Sequence, residues 1–346
     1  MNSIIDLHSH PTLKPYNNSA KKNIKDPVLH TEYCNSGEQF IIYNNPFFKV
    51  GAGVAKDSQA NMQKLFDGKV KIICASLFSY ERGFADLRDV AGLVMSPNLI
   101  ECLTGINQFK LSVIERAALD TFHDISGEFQ YLWDQVQWFN SQNFNYKIRL
   151  AQPGDFANKS AADIDSENII YILLSVEGVQ SLGITPPDHS KRDVVPLSND
   201  ELEFVLLNID IMKADSPAGM SKWNCRPFYI NLCHHFCNRV IGHARSLLPM
   251  MKKAFYQELN LDAGISAQGK TIIRKLLDNS TGKRIYIDVK HMSARSRKDY
   301  YAMLQAEYAT EFAQGKTPII CSHTGISYKY DTLTAIDAEV DDAGKL

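Results

Sequence analysis

The sequence predicts a parallel α/β architecture of barrel type, and three observations carry that prediction. Six short apolar segments of strand character alternate with segments of helical periodicity. Two of the six, 70–78 (VKIICASLF) and 169–176 (IIYILLSV), are nearly continuous apolar runs, as strands covered on both faces read. Five of the six end on residues able to ligate a metal, and in a parallel barrel the carboxyl ends of all strands open onto one face.

Each element follows from its local sequence. Ser3–Leu7 is an apolar run that stops at His8-Ser9-His10-Pro11, where the proline cannot continue a ladder. Residues 12–50 are polar and aromatic with Asn-Asn pairs, and read as a long loop with a short hairpin around Phe40–Tyr43. Val70–Phe78 is the second strand. Over 106–140, Ile114, Ala118, Phe122, Ile125, Phe129, Leu132, Val136 and Phe139 step by three or four and mark one face of a helix or helix pair. Gly127 is expected to interrupt it, with Ser126 capping the second helix. This helical insertion is read as packing on the outside of the barrel, in preference to a lid or a homo-oligomer interface.

Ile169–Val176 is the third strand. Ser198-Asn199-Asp200-Glu201 is a capping box that opens a helix with the stripe Leu202, Val205, Ile209, Met212. Pro227–Cys233 is the fourth strand, Thr271–Leu277 is helical in pattern, and Arg284–Lys290 is the fifth strand. Ser293 caps a helix through Tyr300 and Leu304, and Thr317–Ser322 is the sixth strand.

Composition bounds the function. The 346 residues exceed the roughly 250 of an eight-fold α/β barrel. An apolar fraction of 45% and a net charge of -2 exclude disorder. With 37 basic against 39 acidic side chains there is no excess to displace phosphate counterions, so a nucleic-acid partner is not expected. No run approaches the ~18 apolar residues of a membrane span. The seven cysteines are odd in number and widely spaced, which suits buried thiols of a reducing compartment. The N-terminus shows neither a basic stretch nor an apolar leader core, and the expected location is cytoplasmic.

The chemistry concentrates at the strand ends: His8 and His10, Glu177, His234-His235, His291 and His323. Six of the ten histidines lie there. Residues i and i+2 of a strand point the same way, so His8 and His10 can grip one ion. Glu177 follows an apolar run, and a carboxylate beside a core needs a partner. Imidazoles with a carboxylate suit zinc or a similar divalent metal. Such histidines bind only when neutral, so metal affinity should fall below about pH 6.

His8-Ser9-His10 after an apolar strand resembles the opening motif of the amidohydrolase superfamily. Four later segments resemble its renal (membrane) dipeptidase branch: Ser175-Val176-Glu177-Gly178, Asn231-Leu232-Cys233-His234, Ile287-Asp288-Val289-Lys290-His291 and Pro318-Ile319-Ile320-Cys321-Ser322-His323. The resemblance implies a single TIM-like (β/α)8 barrel domain over 1–346 and a binuclear zinc enzyme that hydrolyses dipeptides. His8 and His10 would hold the first ion, Glu177 would bridge both, and His291 with His323 would hold the second. A strand-four histidine would contact substrate. His234 and His235 compete for that role; His234 keeps the family's spacing and is preferred, although Asn238 lies at the expected distance from His235.

Two departures stand out. Members commonly carry His-x-Asp where this chain has His-x-His. The family also places an aspartate at the end of an eighth strand, whereas no seventh or eighth strand follows His323, and Asp337, Asp341 and Asp342 follow no apolar run. A C-terminally truncated barrel is the expectation, since an open barrel exposes two strand edges. Two alternatives stay open. Asp6-Leu7-His8-Ser9-His10 also resembles the start of phosphoesterases of the polymerase-and-histidinol-phosphatase type, and an inactive metal-binding barrel is the other.

Overall fold

The computed structural model describes residues 3–17, 24–25, 60–85, 89–90, 93–94, 101, 106–187, 193–213, 223–247, 255–281 and 283–323. The expected hairpin at Phe40–Tyr43 and the C-terminal aspartates lie outside them. The chain divides into two compact units, Met1–Leu119 with His123–Leu174, and Asp120–Phe122 with Ser175–Leu346. Both are mixed α/β with parallel strand pairing, as one part of an α/β barrel would have.

In the first unit, β1 (Ile4–Ser9) is followed by a five-residue helix α1 (Leu13–Asn17), inside the segment expected to be loop. The helix α2 (Met62–Asp67), capped by Asn61, buries Met62 and Leu65 and feeds β2 (Val70–Phe78). β1 runs parallel to β2, with Ile5 opposite Ile72 and Ser9 opposite Ala75. Ile4, Ile5 and Leu7 are nonetheless exposed, while β2 is buried from Ile72 to Phe78. Two-residue strands β3 (Asp89–Val90) and β4 (Leu93–Val94) pair antiparallel.

The helical segment departs from expectation in where it breaks. α3 (Gln108–Glu115) ends before Ala117, and α4 (Thr121–Ser141) runs unbroken through Gly127. Ala118 therefore sits exposed in the connection rather than on the apolar stripe. Phe122, Ile125, Phe129, Leu132, Val136 and Phe139 form that stripe, and all are buried. Gly127 is a point of close approach: a Cβ there would collide with the Tyr16 hydroxyl. The sequence reading also passed over β5 (Lys147–Leu150), where apolar and charged residues alternate. It runs parallel to β6 (Ile169–Glu177) with Lys147 opposite Ile169, and the helix α5 (Ala161–Ser166) connects the two. Every residue of β6 after Ile169 is buried.

In the second unit, the end of β6 pairs with β7 (Tyr229–Asn231), placing Glu177 opposite Asn231. β7 in turn pairs with β8 (Tyr286–Asp288), Asn231 opposite Asp288. Between β6 and β7, α6 (Asn199–Lys213) opens on the expected capping box: Glu201 N donates to Ser198 Oγ at 3.1 Å and Ser198 N to the Glu201 carboxylate at 2.8 Å. α7 (Ala267–Leu277) starts four residues before the expected Thr271, because Ser266 caps it. Ser293 caps α8 (Ala294–Glu307) as expected, and the short α9 (Ala309–Ala313) follows.

The strands of this unit are shorter than their apolar runs. Of 227–233 only three residues join the ladder, and of 284–290 only three. The expected strand Thr317–Ser322 reduces to one parallel bridge, Ile320 to Asp288. Beyond each ladder the backbone turns, and its amides bond locally instead. Lys290 N, for example, donates to the Asp288 carboxylate at 2.9 Å. Cys74, Cys225, Cys233 and Cys237 are buried and form no disulfide among the described residues. No helix among the described residues is long and apolar enough to cross a membrane.

Candidate metal centre

In the first unit, the end of β1 brings its two histidines together. Their Nε2 atoms are 3.1 Å apart, with the rings edge to face. The backbone holds the pair: His8 N donates to Asp6 Oδ1 at 3.0 Å, and His10 Nδ1 lies 3.0 Å from the Ser76 carbonyl oxygen on β2. A carbonyl only accepts, so that contact makes Nδ1 the protonated nitrogen and leaves Nε2 of His10 with its lone pair. Two ligand atoms 2.0–2.1 Å from one tetrahedral ion lie about 3.3 Å apart, and this pair has that spacing.

In the second unit, the centre is built around Glu177. Its carboxylate is 3% exposed, and Oε1 lies 3.6 Å from His234 Nε2, 3.7 Å from His291 Nε2 and 3.9 Å from His323 Nε2. His291 and His323 also approach each other, Nε2 to Nε2 at 3.1 Å. Glu177, His291 and His323 thus offer three ligand atoms to one ion. Each comes from the end of a different chain segment: β6, the turn after β8, and the residues after the Ile320 bridge.

The turns are shaped for this. Gly178 adopts φ 82°, reversing the chain directly after Glu177, and Ser181 Oγ donates to the Glu177 carbonyl at 2.9 Å. His291 itself adopts φ 65°, a left-handed conformation costly for a residue with a Cβ. His323 Nδ1 lies 2.9 Å from Ser322 Oγ, while His291 Nδ1 is buried with no hydrogen-bond partner among the described residues.

The His235 ring lies against that of His234, 3.8 Å between ring centres and tilted by 49°, and 5.1 Å from the His291 ring. Its Nδ1 is 2.6 Å from Ser246 Oγ, and the Gln257 amide donates to the His235 carbonyl at 2.7 Å. Burial holds the His235 imidazole well below its ordinary range, and the neighbouring His234 and His291 push the same way. Burial likewise pushes His291 down to about 2, assisted by His234 and opposed by Glu177. Both rings are therefore neutral at pH 7, the form that binds a metal. The donor set of neutral imidazoles and one carboxylate fits zinc or a similar divalent ion.

Asn238 has a structural part. Its Oδ1 accepts from Val240 N and Ile241 N, and its Nδ2 donates to the Leu232 carbonyl, closing the loop after β7. The sequence reading passed over Ser246 and Gln257, which hold His235, and Asp288, which accepts backbone amides beside both His291 and His323.

Neither the scan against protein-family models nor the search of curated proteins gave a match. Among solved structures, the chain is similar to the crystal structure of the probable dipeptidase PvdM from Pseudomonas aeruginosa. The sequence identity is 16% and the TM-score 0.41, over 84% of this chain and 49% of that one. The chain thus spans about half the length of that protein.

Proposed function

We propose that the chain belongs to a metal-dependent hydrolase, a binuclear zinc dipeptidase. The observation that carries this reading is the group around Glu177, with three imidazole nitrogens 3.6–3.9 Å from one buried carboxylate oxygen. The order of the motifs along the sequence supports it. In this reading His8 and His10 would hold the first ion, His291 with His323 would hold the second, and Glu177 would serve both.

Bound divalent ions supply hydroxide near neutral pH and polarise a carbonyl. The chain's own residues do the rest. The buried rings stay unprotonated and keep their ligand nitrogens available. His234, beside Glu177 and not shared with the His291–His323 pair, contacts the scissile carbonyl oxygen of a dipeptide and stabilises the charge that develops there. His235, held by Ser246, backs the His234 ring by direct contact.

The test is elemental analysis of the purified chain, together with hydrolysis of a dipeptide panel and of phosphate monoesters, with and without added zinc. About two ions per chain are expected, with Glu177→Ala losing metal and zinc-dependent dipeptide hydrolysis while remaining soluble. Hydrolysis of phosphate monoesters alone would replace the dipeptidase reading with the phosphoesterase one. Bound metal without any hydrolysis would mark a metal-binding barrel, and unchanged metal content in Glu177→Ala would remove the bridging role.

A further inference from the structure

We infer that Asp288 is the positioning residue of the second ion site, fixing through one carboxylate both chain turns that present its histidines. Asp288 closes β8 and is fully buried. Its Oδ1 accepts from Lys290 N at 2.9 Å and from Ser322 N at 3.2 Å. Those amides belong to the residues immediately before His291 and His323. Its Oδ2 accepts from Asn231 Nδ2 at 2.8 Å, which ties in the end of β7, three residues before His234. A single side chain therefore spans the three segments that deliver His234, His291 and His323.

The need for such a tie comes from the backbone. His291 is held at φ 65°, a conformation unfavourable for a non-glycine residue, which reverts unless its surroundings fix it. The bonds beside it are Lys290 N to Asp288, Met292 N to the Val289 carbonyl at 3.2 Å, and Ala244 N to the His291 carbonyl at 2.8 Å. The His323 segment meets β8 at one isolated bridge among the described residues, Ile320 to Asp288, and Ser322 N to Asp288 ties the segment to β8 again directly before His323. Because Oδ1 serves both turns, it fixes their separation. The 3.1 Å approach of the two Nε2 atoms follows from that shared acceptor as much as from the rings themselves. Through these amide contacts Asp288 acts on the turns that carry the rings.

The inference rests on the proposed metal site, and its test separates the two. Asp288→Asn keeps an oxygen for the two backbone amides and turns its NH2 toward Asn231, whose buried Oδ1 has no hydrogen-bond partner among the described residues and can accept after a flip of that amide. Asp288→Ala removes the acceptor. The double variant Asn231→Asp with Asp288→Asn exchanges donor and acceptor and restores the original pattern. Each metal-free protein is titrated with cobalt(II), following the visible absorption of the bound ion, and backbone amide exchange is measured by mass spectrometry over 288–292 and 320–323.

The parent is expected to bind two cobalt ions. Asp288→Ala should weaken the second about 10- to 100-fold and change its spectrum, as loss of a ligand-orienting partner does. Asp288→Asn and the double variant should stay within about threefold of the parent. Amide exchange in both segments should accelerate in Asp288→Ala only. Unchanged cobalt affinity and spectrum in Asp288→Ala would overturn the positioning role, as would Asp288→Asn failing as badly as alanine. If the parent itself binds no cobalt, the proposed function fails. The tie between the two turns would still be read from the amide exchange of the metal-free proteins.

Discussion

Glu128 shows how far a single side chain departs from what its letter suggests. It lies fully buried on α4, with Oε1 accepting from Thr12 Oγ1 at 2.7 Å and Oε2 from Phe78 N at 2.9 Å. Burial nevertheless raises its carboxyl from 4.5 to about 7; the bonds from Phe78 and Thr12 and the charge of His10 oppose the rise, and Asp124 adds to it. Between about pH 4.5 and 7 the folded chain thus holds a proton that the unfolded chain has lost. The stabilisation is complete below pH 4.5 and is lost as pH rises through 7, on the order of 3 kcal/mol in all. Glu128→Gln keeps both contacts, donating to Thr12 and accepting from Phe78, and does not titrate. Urea unfolding at pH 5 and pH 8 should therefore show the variant gaining on the parent by a few kcal/mol at the higher pH. A constant difference between the two proteins would mean that the carboxyl ionises normally. In the sequence, Glu128 is one acidic residue among many on a helix. The strand-end histidines were legible because a rare residue type recurred at one structural position. Asp288 and Ser246 were not, because a side chain that serves a backbone amide or orients a ring has no spacing of its own.

Elements were legible where periodicity alone decides them and less so where a boundary depends on tertiary contacts. The continuous runs of β2 and β6 and the capped starts of α6 and α8 stand where the sequence put them. The break between α3 and α4 does not, for two physical reasons. Gly127 reads as an interruption but is where Tyr16 crosses the helix. The real stop lacks its usual glycine: Ala117 adopts φ 53°, Ala118 N donates to the Val113 carbonyl and Ala117 N to the Ile114 carbonyl, each at 3.0 Å. This is a left-handed helix cap built on alanine. Replacing Ala117 with glycine removes about 1–2 kcal/mol of left-handed strain and adds about 0.5–1 kcal/mol of chain entropy to the unfolded state. The net expectation is stabilisation by about 0.5–1 kcal/mol, measured as a higher urea midpoint at unchanged slope. A lower midpoint would place the stop elsewhere. The β7 and β8 runs were overestimated for the complementary reason. Apolar letters mark burial, and the buried residues after Asn231 and Asp288 lie in turns that carry the histidines rather than in a ladder.

At the scale of the molecule, the proposed metal site predicts that metal binding and folding are linked equilibria. A parallel α/β chain with histidines and a glutamate at strand ends was legible because alternation and burial are written in the letters; the division into two compact units was not, since it depends on which contacts form in space. The ligands around Glu177 are distant in sequence, so the unfolded chain offers no such site and a bound ion stabilises only the folded form. Zinc at 100 times its dissociation constant then adds about 2.7 kcal/mol, and each kcal/mol raises the midpoint by roughly 2–4 °C in chains of 150–250 residues. For the parent chain, thermal unfolding in excess zinc should therefore exceed that in chelator by several degrees. Glu177→Ala and His323→Ala should each lose most of that rise while unfolding near the parent in chelator. The two controls matter because zinc also binds loosely to surface histidines, which would raise all three proteins equally. Equal midpoints for the parent with zinc and with chelator would mean that the imidazoles around Glu177 are packed for the fold alone.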